Sequence, residues 1–471
     1  MNGRLLPLHP TPRALVTAGA LLAATAAATL LGHGELKYGV GLVAALVFVP
    51  FAFVNPPLAL ACWLVTNLLA GLPGFGSAAN YSIYVIALVT IGAVAAGGAA
   101  AAQDQLPGVA SRLRRRQMTL FLLFLLWALL TLVWAPESSL ASDTINRLVR
   151  SMVVFFAVLV LVREPRHVRW LAAAFVIGTV LSILSGEVSG GLGASTSDEG
   201  RLRGGTSDPN YLAAAIVPAL MFTAALAAQR GRPLVRFALA VGALVLAVGL
   251  GATESRGGFI ALIVVSVAAL AIWRGRRLTV VAFIVVFSLG AAAFFVASPS
   301  SWERVTQNTD NGSGRSDIWQ VAWRVVEAHP VGGAGLAQFP AVSPDFIRRP
   351  GALSRADLLV DQRIVVHNAY LQLWAETGLV GLLLFVGIAA TALVASGAAA
   401  RRFEARDEVE MATMARAVLL ALLGSLTASF FLSNIDDQRL WALLALGPAL
   451  LVIALRGERE EIPARTRISW R

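Results

Sequence analysis

Apolar residues along this chain fall into blocks rather than stripes. The blocks run over 14–31, 40–54, 57–72, 82–101, 118–134, 151–162, 170–185, 211–228, 237–253, 257–273, 278–297, 377–396, 414–433 and 440–455. Most have the roughly 15 to 20 residues needed to cross a hydrocarbon core of about 30 Å. In lipid every backbone group must be satisfied within its own segment, so such blocks are helices. Spanning strands would alternate apolar and polar residues, and the sequence holds no such alternation. The pattern predicts an all-α, polytopic transmembrane helix bundle of 12–14 spans. The pair 40–54 and 57–72 is joined only by Asn55-Pro56-Pro57 and reads as two spans or one re-entrant hairpin. The short block 151–162 is expected to begin nearer Leu148. The first block follows Arg4 and Arg13, lacks a polar cleavage region and is followed by further spans, so it reads as an uncleaved first helix.

Basic residues between the blocks set the orientation. With both termini inside, the cytoplasmic loops hold Arg112 and Arg114 to Arg116, then Arg163, Arg166 and Arg169, then Arg230, Arg232 and Arg236. Arg274, Arg276 and Arg277 follow, then Arg401, Arg402 and Arg406, and the tails add more. That excess of cytoplasmic arginine is the usual determinant of topology. The chain then divides into transmembrane helices over 1–297, interrupted by an external loop at about 186–210. A large extracytoplasmic loop follows over 298–376, then C-terminal transmembrane helices over 377–455 and a cytoplasmic tail over 456–471.

The 298–376 loop carries seven Arg and eight Asp or Glu, so it is near neutral. A polar stretch of that length between spans carries function or forms a small domain. Within it Ser316 reads as an N-cap, and Ile318, Val321, Ala322, Val325 and Val326 follow at helical spacing. Trp319 and Trp323 accompany them, as in helices lying in a membrane interface. Pro330 and Gly332-Gly333 end that helix. A second is predicted from His367 to Thr377, ended by Gly378, with His367, Tyr370, Leu371 and Trp374 on one face.

Composition changes the picture in one respect. The formal charge of +11 invites nucleic acid as a partner, but the basic residues sit in short clusters between apolar blocks, as topology requires. With 57% apolar and 14% charged residues, and a mean hydropathy of +0.73, the partner is a lipid bilayer and not nucleic acid. Cys62 is the single cysteine, which excludes an intrachain disulfide and a cysteine-based metal site. No His, Cys and carboxylate cluster has metal-ligand spacing, so neither metal nor other cofactor is expected.

His367 can accept a proton near neutral pH, or it caps a helix or packs on Tyr370. Arg256 lies in a tight turn between two blocks. It reads as a cavity-facing group or as a local pair with Glu254, since arginine within a membrane is costly. Arg315, and Arg201 with Arg203, are planar bidentate donors suited to phosphate oxygens, or else solvated loop charges. Gly332-Gly333-Ala334-Gly335 lacks the strand–turn–helix setting of a nucleotide loop and reads as tight backbone packing. Asp310 to Gly314 lacks calcium-loop spacing. Asp436-Asp437 reads as a lone acidic pair in an outer turn.

Several runs together resemble the O-antigen ligase and O-antigen polymerase superfamily. They are Arg201 through Pro209-Asn210, Ser255-Arg256-Gly257, Arg315-Ser-Asp-Ile-Trp319, His329-Pro-Val-Gly-Gly-Ala-Gly335, His367-Asn-Ala-Tyr-Leu371 and Glu376-Thr-Gly-Leu-Val-Gly381. The resemblance implies an inverting, metal-independent glycosyltransferase of the bacterial inner membrane, with the C-type fold and a periplasmic active site. Its donor would be a polyprenyl-diphosphate-linked glycan and its acceptor a glycan or a lipid A-core-type molecule, in lipopolysaccharide or other surface polysaccharide synthesis. It further implies that His367 activates the acceptor hydroxyl and that Arg256 and Arg315 hold the diphosphate, with Arg201 beside them. Asn210, Asn368, Tyr370 and Glu376 would support them. A lipid-linked oligosaccharide flippase and a protein O-oligosaccharyltransferase are the alternatives.

Overall fold

The computed structural model describes residues 36–72, 74–100, 108–189, 200–206, 208–229, 231–273, 277–297, 299, 302–303, 315–351, 353 and 364–468. The block at 14–31 and the Asp310 to Gly314 run lie outside them. In chain order the helices are α1 Leu36–Val54, α2 Pro56–Leu68, α3 Phe75–Ala100, α4 Gly108–Leu130 and α5 Ala141–Leu161. Next come α6 Pro165–Ser189, α7 Pro209–Ala227, α8 Pro233–Ala252, α9 Arg256–Ile272 and α10 Arg277–Ala297. The last five are α11 Arg315–Ala328, α12 Phe339–Ile347, α13 Ala369–Ala405, α14 Val409–Ala428 and α15 Gln438–Ile468.

Among the described residues nine segments are long and apolar enough to cross a membrane, and the apolar helices 45–54, 56–68 and 256–272 are shorter. The chain is an all-α, multi-pass membrane bundle. Asn55 separates α1 from α2 as a cap, its side chain accepting from the Leu58 N–H at 3.4 Å, with Pro56 in the first turn. Proline is harmless there because that N–H has no partner within the helix. Helix α5 begins at Ala141, well before Leu148. Its opening turns bury Ala141 and Leu148 but expose Asn146 and Arg147, so they are amphipathic and escape a search for apolar blocks.

Aromatic packing around Trp441 of α15 joins four helices. Phe121 and Phe124 of α4 have ring centroids 4.3 and 5.6 Å from it, and Phe155 of α5 and Phe385 of α13 both lie at 5.9 Å. Trp441 is fully buried and donates its indole N–H to the Ile435 carbonyl at 2.7 Å. Helices α7, α14 and α15 are the most enclosed, whereas α3 and α8 turn most of their surface outward. Gly424 lets α14 approach Val217 of α7 and Val265 of α9, the close approach that small residues permit between membrane helices.

A second, smaller core lies at one end of the bundle. Val321, Ala322, Val325 and Val326 of α11 pack with Phe339 and Phe346 of α12, Val366 and Ala375. The start of α13 sits between the two cores. Tyr370 stacks on Phe430 at 4.4 Å and joins the large core, while Leu371 and Trp374 join the small one. The single shared face expected for those residues is therefore split, because this stretch is covered on two sides.

Gly378 breaks α13 with φ 69° and ψ −174°. The 330–335 segment is stitched to the residues on both sides of that break. Ala334 N–H donates to the Ala375 carbonyl and Gly335 N–H to the Glu376 carbonyl, both at 2.8 Å, and Leu379 N–H donates to the Pro330 carbonyl at 3.0 Å. A Cβ on Gly378 would collide with the Val331 carbonyl, and one on Gly333 with the Glu376 carbonyl. The glycine-rich stretch is thus a backbone clasp. Helix α11 is described from Arg315, which puts Ser316 within the helix rather than at its cap.

Candidate functional site

The short 200–206 segment is folded down into the bundle end. Leu202 N–H donates to the Ala252 carbonyl at 2.9 Å, Gly205 N–H to the Ser182 hydroxyl at 2.8 Å, and Gly71 N–H to the Gly205 carbonyl at 2.7 Å. Gly204 has φ +55° and presses against the Ser182 carbonyl, a place that no Cβ could share. These bonds hold Arg201 over the α8–α9 turn. Its Nε donates to the Thr253 carbonyl at 2.9 Å and its second nitrogen reaches Asn210 Oδ1 at 3.3 Å. The same Asn210 oxygen accepts from the Ser255 hydroxyl at 2.8 Å, and Ser255 caps α9 by accepting from the Gly258 N–H at 3.2 Å. Arg256 is the next residue, half-buried at the start of α9.

Arg315, also half-buried, is the first described residue of α11. Burial, and after it the positive charge of Arg201, lower its guanidinium from the ordinary arginine value; Asp208 opposes them and Arg256 adds to them. His367 stands just before α13. Burial and then Arg315 hold its imidazole below the ordinary histidine value, with a smaller pull upward from Asp208. A lowered value keeps the ring neutral at neutral pH and able to take a proton. Arg315 thus lies at the centre of an electrostatic neighbourhood, within reach of Arg201, Arg256, Asp208 and His367, and Asp208 also reaches His367.

Three helices begin in that neighbourhood. Asp208 caps α7 by accepting from the Asn210 N–H at 2.7 Å, Ser255 caps α9, and Asn368 caps α13. Helix starts carry unpaired N–H groups and partial positive charge, so their convergence favours an anion.

His367 adopts a left-handed backbone, φ 53°, which is uncommon for a residue with a Cβ. Its N–H donates to the Ser433 hydroxyl at 3.0 Å, and the preceding Val366 carbonyl accepts from the Trp319 indole at 3.0 Å. Among the described residues its imidazole has no hydrogen-bond partner.

The remaining predicted residues do other work. Asn368 Oδ1 accepts from the Tyr370 and Leu371 N–H groups, both at 3.1 Å, as a helix cap. Tyr370 donates its hydroxyl to the Leu426 carbonyl at 2.7 Å. Glu376 is buried and accepts from the Ala337 N–H at 2.9 Å and the Gln372 amide at 3.2 Å, so these bonds brace the clasp rather than orient His367. Asp436 and Asp437 are not a lone pair. Asp436 meets Arg147, and Asp437 is chelated by Arg439, its Oδ2 accepting at 2.6 Å.

Sequence reasoning gave no role to Asp208, Ser255, Tyr211 or Ser433. The first two were readable as helix caps, standing before Pro209 and three residues before Gly258. Tyr211 and Ser433 carry no signal of their own. A small cavity of about 20 Å³ beside the 432–437 turn is lined by Tyr211, Ser425, Asn434, Asp437 and Arg439 among others. It has room for about one water, far below ordinary ligand sites of about 300–1,000 Å³, and the arginines of the neighbourhood are not among its walls, so it is no donor site.

Residues 241–386 match the family model described as O-antigen ligase. No curated protein matches the chain. The matched stretch holds Arg256, Arg315 and His367, while Arg201 and Asn210 precede it and Ser433 follows it.

Proposed function

We propose, from the chain's place in the O-antigen ligase/polymerase superfamily, that it transfers or polymerises glycan from a polyprenyl-diphosphate donor onto an acceptor hydroxyl at the periplasmic face of a bacterial inner membrane. The observation that carries this reading is that Arg315 lies within electrostatic reach of His367 on one side and of Arg201 and Arg256 on the other, beside the capped starts of α7, α9 and α13. A prenyl diphosphate supplies the negative charge that such a place favours.

In the proposed reaction the acceptor oxygen attacks sugar C1 and gives its proton to the His367 imidazole. The C1–oxygen bond to the diphosphate breaks, and its electron pair leaves with the prenyl diphosphate. Attack from the opposite face inverts the anomeric centre. A positioned base contributes about 10²–10⁴-fold. Guanidinium donors aimed at the developing charge act where water is scarce and need no reorganisation, the kind of term that usually dominates. These cations take the part a metal would play, in keeping with the metal-independent chemistry that the resemblance implies.

The test is complementation of a strain lacking the gene, with the surface polysaccharide read on a gel. His367→Ala should abolish transfer while the protein inserts at normal abundance. Undiminished transfer by that variant rejects the reading and leaves a flippase or an assembly partner. In the deletion strain, polymer held on the lipid carrier identifies a ligase, and single repeat units identify a polymerase. Glycan missing only from proteins identifies an oligosaccharyltransferase.

A further inference from the structure

Three neighbouring backbone and side-chain groups around His367 are tied down, each by a different means. The Val366 carbonyl is held by the α11 indole of Trp319, the Asn368 side chain is spent on capping α13, and the His367 N–H is held by Ser433. A left-handed conformation at a residue with a Cβ is strained and persists only where its surroundings over-determine it. A base is ordinarily aimed by a third group bonded to its second ring nitrogen. For His367 the described hydrogen bond is through its backbone N–H, to the Ser433 hydroxyl, beside a left-handed φ of 53°.

Ser433 is itself fixed from the bundle interior. Its carbonyl accepts from the Tyr211 hydroxyl of α7 at 2.6 Å. The Arg439 guanidinium lies 5.9 Å from the centre of the Tyr211 ring, and Asp437 holds that guanidinium from the other side. The turn is closed by Asp437 N–H on the Asn434 carbonyl at 3.0 Å, by the Ser151 hydroxyl on the Asp436 carbonyl at 2.9 Å, and by the Trp441 indole on the Ile435 carbonyl. A turn anchored to α5, α7 and α15 thus presents one hydroxyl to one amide.

We infer that Ser433 is the positioning residue of the His367 base, with Tyr211 bracing it. The 432–437 turn then serves as the rigid reference against which the imidazole is aimed. This inference rests on the catalytic reading of His367. A serine that merely stabilised the fold would change how much protein survives, not how fast each molecule turns over.

The experiment uses the full chain in native membranes, with lipid-linked glycan extracted from the same cells as donor at varied concentration and the accepting envelope fraction in excess. Ser433→Ala should lower kcat about 10–100-fold, the loss typical of a misplacement near 1 Å, and leave KM for the donor within about twofold. Ser433→Thr keeps the hydroxyl and should restore most of kcat. Should Ser433→Ala fail to accumulate, Tyr211→Phe decides: a several-fold drop in kcat at unchanged KM upholds the inference. An unchanged kcat in whichever variant is decisive, beside an inactive His367→Ala, overturns this inference alone. An active His367→Ala overturns the reading beneath it.

Discussion

At the scale of single residues, the candidate site is a contest between burial and charge. His367 sits below the ordinary histidine value of about 6.5, chiefly through burial and then through Arg315, with Asp208 opposing. A general base works deprotonated, so the acid limb of kcat should lie below that value. Arg315→Gln removes a positive neighbour, makes protonation easier and should move the limb to higher pH. Asp208→Asn keeps the cap, removes a negative neighbour and should move it lower. Limbs that stay put in both variants would detach His367 from the rate. Arg256 was legible in the sequence because an arginine at the end of an apolar block is costly without a purpose, His367 as a candidate base, and Arg201 and Arg315 as phosphate donors; Asp208 was not. Nor were Ser433 and Tyr211. A serine beside an asparagine in a turn, or a tyrosine two residues after a proline, is ordinary, and only tertiary contact gives either a role.

At the scale of elements, α13 is the instructive case. The sequence placed its first turns and their end at Gly378, since the helical spacing and the glycine are both local signals. It also placed a span over 377–396, and in the fold the two join as one element kinked at Gly378, an arm of the smaller core and a span together. The cap at Asn368 and the break at Gly378 bound that arm. Asn368→Ala should lower stability by about 1 kcal/mol, whereas Gly378→Ala should cost more, of the order of 1–3 kcal/mol for strain alone, because the new methyl also meets the Val331 carbonyl. Thermal unfolding in detergent checks the order of the two variants. An Asn368→Ala protein as damaged as Gly378→Ala would contradict it. The start of α5 shows the opposite limit: amphipathic turns carry no hydropathy signal, so Ala141 to Asn146 passed as loop.

At the scale of the whole molecule, the bundle and its end-cap were legible from block length and from the one long polar stretch, but the order of packing was not. Apolar blocks look alike, and nothing in them says that α7, α14 and α15 lie innermost. The proposed orientation is testable with the chain's own chemistry. Cys62 is the single cysteine; after Cys62→Ser, a cysteine at exposed position 327 should react with a membrane-impermeant maleimide added to spheroplasts. One at exposed position 401 should react only after lysis. The reverse pattern would put the candidate base in the cytosol. The anchoring of His367 from residue 433 bears on biosynthesis as well. A nascent chain that has already inserted Arg201, Arg256, Arg315 and His367 still lacks the hydroxyl proposed to aim the base until its final helical hairpin leaves the ribosome. On this account a chain still in translation turns over far more slowly than the finished one, by the same factor that Ser433→Ala should show.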